Sequence, residues 1–254
     1  MRISQISIAP VKGMALVHPE EALLGRTGIM NDRRFYLVDL DGRLINNKTC
    51  GELMQIRPAV SDDASRLALA FPDGAVVDGE VEPGAAVETS FYGRPVNGHL
   101  VEGPWSDAIS AHTGRALRLV RTDDPGEGVD RTHVVSLVSD GSLAALGRRA
   151  GVESVDGRRF RMTLQVEGCD EHEEDSWIGG EVAAGEARLR ITGPVGRCVV
   201  TTRDPETGVS DLDTLGLLAG YRTLREGKAF GCGVCGDVLG EGLVRVGDPV
   251  APAR

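Results

Sequence analysis

The chain has 254 residues, 41% of them hydrophobic, so it can bury a core as one large domain or two small ones. A formal net charge of −10, without any block of basic residues, argues against a nucleic-acid-binding face. The N-terminus has no apolar leader, and no stretch approaches the ~20 apolar residues that a membrane-spanning helix needs. The five cysteines are an odd number, which argues against a secreted disulfide scaffold. We therefore expect a cytoplasmic protein with reduced thiols and no membrane segment.

Short strands and tight turns dominate the first hundred residues. A strand over residues 2–9 ends at Pro10, and a hairpin over 35–45 turns at Asp41-Gly42. Apolar residues alternate over 67–71, and Pro104 stands where a short helix can begin. The 34 glycines and the low aromatic content fit this pattern, which predicts a barrel or a sandwich.

The second half is predicted to mix strands with two helices. An apolar strand over 133–138 leads into a helix that Ser139 or Asp140 caps and Gly151 ends. Leucines at helical spacing over 212–219 predict another helix, which packs in the core. The remaining strands, with a turn at Gly193-Pro194, are expected over 159–166, 187–191, 198–202 and 243–246. The fold class is therefore mainly β (α+β), with parts at 1–105 and 115–254.

The segment GRCVVTTRDPETG, residues 196–208, contains the most informative cysteine. A thiolate is a soft ligand that suits thiophilic metals, and Arg197 beside Cys198 could lower the thiol pKa or hold an anionic group. A buried inert cysteine is the alternative reading of the same residues. The residues alone leave both readings open.

Several motifs together resemble the MOSC domain, in the subfamily of the mitochondrial amidoxime-reducing components and their bacterial relatives. The segment at 196–208 is joined by DSWIGG, FRMTLQVEGCD and VGDPV, at residues 175–180, 160–170 and 246–250. PVKG at 10–13 and DRRFYLVD at 32–39 resemble the N-terminal β-barrel domain of that subfamily. The resemblance implies two β-barrel-like parts, few short helices and a cofactor cleft between the parts.

The resemblance also implies a molybdenum–molybdopterin cofactor and the residues that bind it. Cys198 matches the cysteine that ligates molybdenum. The cofactor-binding positions carried over with it are Lys12, Arg34, Thr132, His133, Arg161 and Arg197. An anionic cofactor needs such cations in a chain of charge −10. Gly13 stands where relatives often have serine, and Thr163 stands where they often have asparagine.

Cys232 and Cys235 are open to three interpretations. They could be a redox pair near the active site, plain structural cysteines, or, with Cys169 and His172, a Cys₃His zinc site of acceptable spacing. The acidic run 170–177 is either a solvated loop or a flank of the cofactor mouth that favours cationic substrates.

The function implied by the resemblance is reduction of N-hydroxylated substrates such as amidoximes, hydroxylamines and hydroxyguanidines. No ferredoxin-like segment follows VGDPV, so a separate electron-donor protein is expected to supply the electrons. Two alternatives stay open: a sulfur carrier or sulfurtransferase with a persulfide on Cys198, and a carrier of the cofactor. Neither nucleic acid nor membrane is an expected partner.

Overall fold

The computed structural model of the protein describes residues 1–123, 134–222 and 231–253, and strands dominate these ranges. The strands up to the first helix are β1 (Arg2–Ile6), β2 (Glu21–Gly25), β3 (Gly28–Ile29), β4 (Phe35–Val38), β5 (Leu44–Ile45), β6 (Arg57–Val60), β7 (Arg66–Ala70), β8 (Val76–Glu80), β9 (Glu82–Phe91) and β10 (Arg94–Glu102). The elements that follow are α1 (Trp105–Thr113), β11 (Arg118–Thr122), β12 (Val135–Ser139), α2 (Asp140–Ala150), β13 (Leu164–Glu167), β14 (Glu181–Ala184), β15 (Ala187–Gly196), α3 (Thr214–Ala219), β16 (Gly231–Gly240), β17 (Gly242–Arg245) and β18 (Val250–Pro252).

The largest sheet is a nearly closed barrel of seven strands in the order β1-β13-β12-β16-β15-β14-β18. The first strand closes on the end of the chain: the Ile3 amide donates to the Asp248 carbonyl at 2.9 Å, and the Gly247 amide donates to the Ile3 carbonyl at 2.7 Å. Apolar side chains from alternate positions, such as Leu137, Leu164 and Leu189, fill the interior.

The second core lies under two smaller sheets. Strands β5-β4-β11-β10-β9 form one of them and β6-β7-β8 form the other. Trp105 at the start of α1 is fully buried between them with Phe35 and Leu119, and its indole N–H donates to the Leu67 carbonyl at 3.2 Å. A third small sheet has the order β17-β2-β3.

Strand pairs connect the two predicted parts of the chain. β1 and β2, from the first part of the chain, pair with β13 and β17 of the second part. β11, which lies beyond residue 115, pairs with β4 and β10 in the five-stranded sheet. The two parts are therefore interlocked, which fixes the walls of the cleft between them.

Many predicted elements are confirmed. The hairpin joins β4 to β5, and α1 follows Pro104. Helix α2 is capped as expected: the Ser139 side chain accepts from the Ser142 amide, and Gly151 takes a left-handed conformation with φ 76°. Helix α3 contains the predicted stripe from Leu215 to Ala219, whereas Leu212 lies before the helix begins.

Three local predictions are wrong. The expected strand over 159–166 begins instead as a 3-10 turn, Gly157–Phe160, because the Asp156 side chain accepts from the Arg158 amide and Arg161 turns left-handed with φ 53°. The predicted Gly193-Pro194 turn lies inside β15, where register shifts accommodate a proline without an amide donor. Residues 198–202 form no strand, because Cys198 precedes the 3-10 turn Val199–Thr202.

No helix in the described ranges has the length and apolarity needed to cross a membrane.

Candidate functional site

A cleft of about 490 Å³ lies between the barrel and the five-stranded sheet. Residues of the first part form one wall and residues that flank β13 and β15 form the other. Its described lining is Lys12, Gly13, Arg33, Asn46, Asn47, Lys48, Phe91, Tyr92, Ser136, Arg159, Phe160, Arg161, Met162, Thr163, Val195, Gly196, Arg197, Cys198, Val200 and Thr201. A volume of this size is typical of sites for small molecules and cofactors.

The thiol of Cys198 is exposed on this cleft. Its backbone is extended, and the 3-10 turn that follows fixes its position. The Thr201 amide and the Thr201 hydroxyl both donate to the Cys198 carbonyl at 3.1 Å. The Thr201 hydroxyl also lies 2.6 Å from the Thr214 hydroxyl of α3. The sequence alternative of a buried inert cysteine is therefore wrong for Cys198.

Arg197 is a buried cation directly behind the thiol, 7% exposed. Its Nε donates to the Cys232 carbonyl at 2.8 Å and its Nη1 donates to the Phe160 carbonyl at 3.0 Å. Burial lowers the pKa of Arg197, and no described carboxylate lies within ion-pair distance of it. The guanidinium thus links the backbone at Phe160 to the backbone at Cys232 and places a positive charge beside Cys198.

A second pair of guanidiniums, Arg161 and Arg33, lines the cleft. Arg161 donates to the Met14 carbonyl at 2.8 Å, which ties the two parts of the chain together. Burial, followed by the positive charge of Arg33, lowers the pKa of Arg161 to about 10. Arg33 forms an ion pair with Asp32, whose carboxylate also accepts from the Ala9 amide at 2.7 Å. An anion in the cleft would relieve the repulsion between the two guanidiniums.

Lys12 reaches the cleft from the turn after β1. Its amide donates to the Phe35 carbonyl at 2.8 Å, and its ammonium lies 4.7 Å from the centre of the Phe91 ring. The next residue, Gly13, has φ 92°, and a Cβ there would approach the Asn47 amide nitrogen at 3.0 Å. A side chain at position 13 would therefore be strained and would crowd the backbone of Asn47.

Arg34 is not among the described residues that line the cleft. Its Nη1 donates to the Thr122 hydroxyl at 2.9 Å, and its own carbonyl accepts from the Thr122 amide at 3.0 Å. Arg34 is thus buried against β11, whereas its neighbour Arg33 lines the cleft. Thr132 and His133, the other two expected cofactor contacts, lie outside the described residues.

Sequence reasoning missed several residues of the lining. The turn at Asn46, Asn47 and Lys48 follows β5 and carries no motif, so only its place in the fold reveals it. Ser136 on β12 is another missed residue, and its hydroxyl lies 3.3 Å from that of Thr163, the residue before β13. Charge alone could have flagged Lys48, because the chain contains only three lysines.

The cleft is strongly electropositive. Its described lining contains six cationic side chains and no aspartate or glutamate. The acidic run 170–177 is not part of that lining, and its carboxylates have partners elsewhere. Asp175 pairs with Arg222 at 2.6 Å, and the buried Glu174 accepts from the Ser139 hydroxyl at 2.6 Å. The alternative that this run flanks the cofactor mouth therefore gains no support from the described lining.

The other cysteines do not belong to the cleft lining. Burial raises the pKa of Cys232 to about 11, and the Cys235 thiol donates to the Gly193 carbonyl at 3.3 Å. His172 lies 2.8 Å from the Ser142 hydroxyl and 3.1 Å from the Tyr221 hydroxyl. Within the described ranges no three histidine, cysteine or acidic side chains gather closely enough to hold a metal, so the zinc hypothesis gains no support.

Comparison with known proteins covers nearly the whole chain. The sequence profile of the MOSC domain matches residues 114–251, and that of the MOSC N-terminal beta barrel domain matches residues 1–101. The mitochondrial amidoxime-reducing component 1 of Mus musculus is 26% identical over 98% of this chain and 81% of its own length. The Homo sapiens protein of the same name is also 26% identical, over 98% of this chain and 82% of its own length. A molybdenum cofactor sulfurase of Drosophila pseudoobscura pseudoobscura is 26% identical over 84% of this chain and 30% of its own length.

Proposed function

Since the chain belongs to the MOSC domain family and carries the MOSC N-terminal beta barrel domain, we propose that it is a molybdenum-dependent reductase of N-hydroxylated compounds. The observation that carries the proposal is the exposed Cys198 thiol, which opens on a cleft lined by six cations and no described carboxylate. Related proteins whose names describe amidoxime reduction support it.

The residues of the cleft fit a molybdenum–molybdopterin cofactor. Cys198 offers a soft sulfur ligand. Arg197 and Arg161 are largely buried guanidiniums whose described partners are carbonyls and a thioether, so they favour an anionic group near them.

The cofactor, held by Cys198 and the cleft cations, would supply the two electrons that cleave the N–O bond of the substrate. For an amidoxime the balance is RC(=NOH)NH₂ + 2 H⁺ + 2 e⁻ → RC(=NH)NH₂ + H₂O. We propose that the electrons come from a separate one-electron donor protein. The protein orients the reacting groups and shapes access to them.

The side chains of this chain have distinct tasks in the proposal. Cys198 holds the metal, and the 3-10 turn after it keeps the sulfur directed at the cleft. Arg161, which has no described carboxylate within ion-pair distance, balances the charge of the bound group. Arg197 stabilises the wall through the Phe160 and Cys232 carbonyls and leaves its charge beside the sulfur.

The direct test is reduction of benzamidoxime with reduced methyl viologen as the electron donor. Protein purified from a host that makes the cofactor should contain molybdenum and produce benzamidine, and Cys198→Ala should lose both. Cys169→Ala removes a thiol that lies outside the cleft lining and should keep both properties. Wild-type protein that contains molybdenum but forms no benzamidine would refute the reductase and favour a cofactor carrier.

A sulfur carrier is the second candidate function. The accessible Cys198 thiol and the match to part of a molybdenum cofactor sulfurase favour it, although the chain corresponds to less than a third of that relative. Metal-free protein with cyanide-releasable sulfur on Cys198 would support this alternative.

A cytoplasmic location also stays a prediction, and the names of two relatives place those proteins in mitochondria.

A further inference from the structure

Lys48 lines the cleft, and its backbone contacts the segment that follows Cys198. The Lys48 carbonyl accepts from the Arg203 guanidinium at 3.3 Å, and Arg203 is the residue that ends the 3-10 turn after Cys198. The same guanidinium donates to the Gly208 carbonyl at 2.6 Å. The turn that carries Lys48 is thus fastened to the segment that carries the thiol, whereas Arg161 is tied to Met14.

The Lys48 ammonium has no acidic partner among the described residues. No described carboxylate lies within 4.0 Å of it, and its side chain is exposed at the cleft. Its neighbour Asn47 is 5% exposed, and the side-chain nitrogen of Asn47 has no described hydrogen-bond partner. A positive charge and an unsatisfied donor stand next to each other on one turn. Both favour an anionic ligand.

The charge of the lining selects against the opposite kind of ligand. A cationic substrate would enter a site with no described carboxylate in its lining. Arg159 and Arg33 are neutralised by Asp211 and Asp32, but Arg161, Arg197 and Lys48 have no such described partner. A bound cofactor anion would use the guanidiniums of Arg161 and Arg197 and the ammonium of Lys12, which leaves Lys48 for the substrate.

We propose that Lys48, with Asn47 beside it, is a specificity-determining residue that binds an anionic group, a carboxylate, on the substrate. The inference rests on the proposed function and names the substrate class: N-hydroxylated compounds that carry a negative charge away from the N–O group. Lys48 takes no part in the redox step. It selects the substrate by attraction between opposite charges.

The test compares benzamidoxime with its 4-carboxy and 4-aminomethyl derivatives. The wild-type protein should prefer the carboxylate over the neutral compound in kcat/KM by about fivefold to tenfold, the effect of one ion pair near a surface. Lys48→Gln should abolish this preference for the carboxylate, and Lys48→Glu should make the aminomethyl compound the preferred substrate in kcat/KM. Arg43→Gln removes an exposed cation outside the cleft lining and should keep the wild-type ratio.

Two further measurements separate the inference from the proposed function. Molybdenum and phosphate content should equal the wild-type content in Lys48→Gln, because a loss would assign Lys48 to the cofactor and overturn the inference while the reductase proposal stands. Calorimetry with 4-amidinobenzoate, the product of the carboxylate substrate, measures binding without turnover. Binding that weakens about fivefold in Lys48→Gln supports the inference even if no substrate is reduced. An unchanged ratio, or equal binding in both proteins, would overturn it.

Discussion

The wall behind the proposed metal ligand should depend on Arg197 for its stability. In Arg197→Lys the charge stays, but one ammonium cannot replace the Nε and Nη1 donors that reach Cys232 and Phe160. Hydrogen bonds to charged groups contribute about 1.5 kcal/mol or more each, so losing one or two of them costs about 2–3 kcal/mol. For a chain of this size that cost lowers Tm by about 5–10 °C.

Thermal unfolding of the metal-free protein, followed by circular dichroism, measures this effect without interference from ligand binding. Arg190→Lys is the matched control, because Arg190 lies on β15, the strand that directly precedes Arg197, and pairs with Glu181 at the surface. Its Tm should change by at most about 2 °C, since exposed ion pairs contribute little. An equal decrease of Tm in Arg197→Lys and Arg190→Lys would show that the Arg197 guanidinium does not stabilise the cleft wall.

Three further predictions concern thiols, pH and a glycine. At pH 8 an alkylating reagent should modify a single thiol quickly and lose that fast phase in Cys198→Ala, because Cys50, Cys232 and Cys235 are buried and partial burial raises the pKa of Cys169 to about 12; several fast thiols would contradict this. Burial, followed by the charge of Arg222, lowers the pKa of His172 below its ordinary value of 6.5, so the unfolded chain takes up the proton first. The free energy of unfolding should therefore fall as the pH drops through 6.5, and less steeply in His172→Gln; equal slopes in denaturant titrations would refute this. Gly233→Ala should lower Tm by about 5 °C more than Gly74→Ala, because both have positive φ but only the Cβ at 233 meets Leu137 O, at 2.4 Å; equal melting would contradict the clash.

The sequence predicts elements well where a local signal decides the structure. The Asp41-Gly42 turn, the cap at Ser139 and the left-handed Gly151 each act over a few residues, and the structure confirms all three. The interlocked sheets could not be predicted in this way, because β1 finds its partner β13 about 160 residues away. Only tertiary contacts set that pairing.

In the candidate site too, residues in sequence motifs could be predicted, whereas residues placed by long-range contacts could not. Cys198 and Arg161 stand in motifs, and the structure places both at the cleft. Which of two adjacent arginines faces the cleft depends on the backbone: Arg33 takes φ 57° and lines it, whereas Arg34 turns to Thr122. Lys48 has no motif, and its position depends on Arg203, a residue more than 150 positions later in the chain. Long-range contacts of this kind leave no periodic signal in the sequence.

We propose that Cys198 ligates molybdenum through its sulfur, and X-ray absorption at the molybdenum edge measures the sulfur neighbours of the metal. Protein from a cofactor-producing host should show molybdenum with a sulfur neighbour that is absent from Cys198→Ser. The same number of sulfur neighbours in both proteins, at equal metal content, would contradict the account.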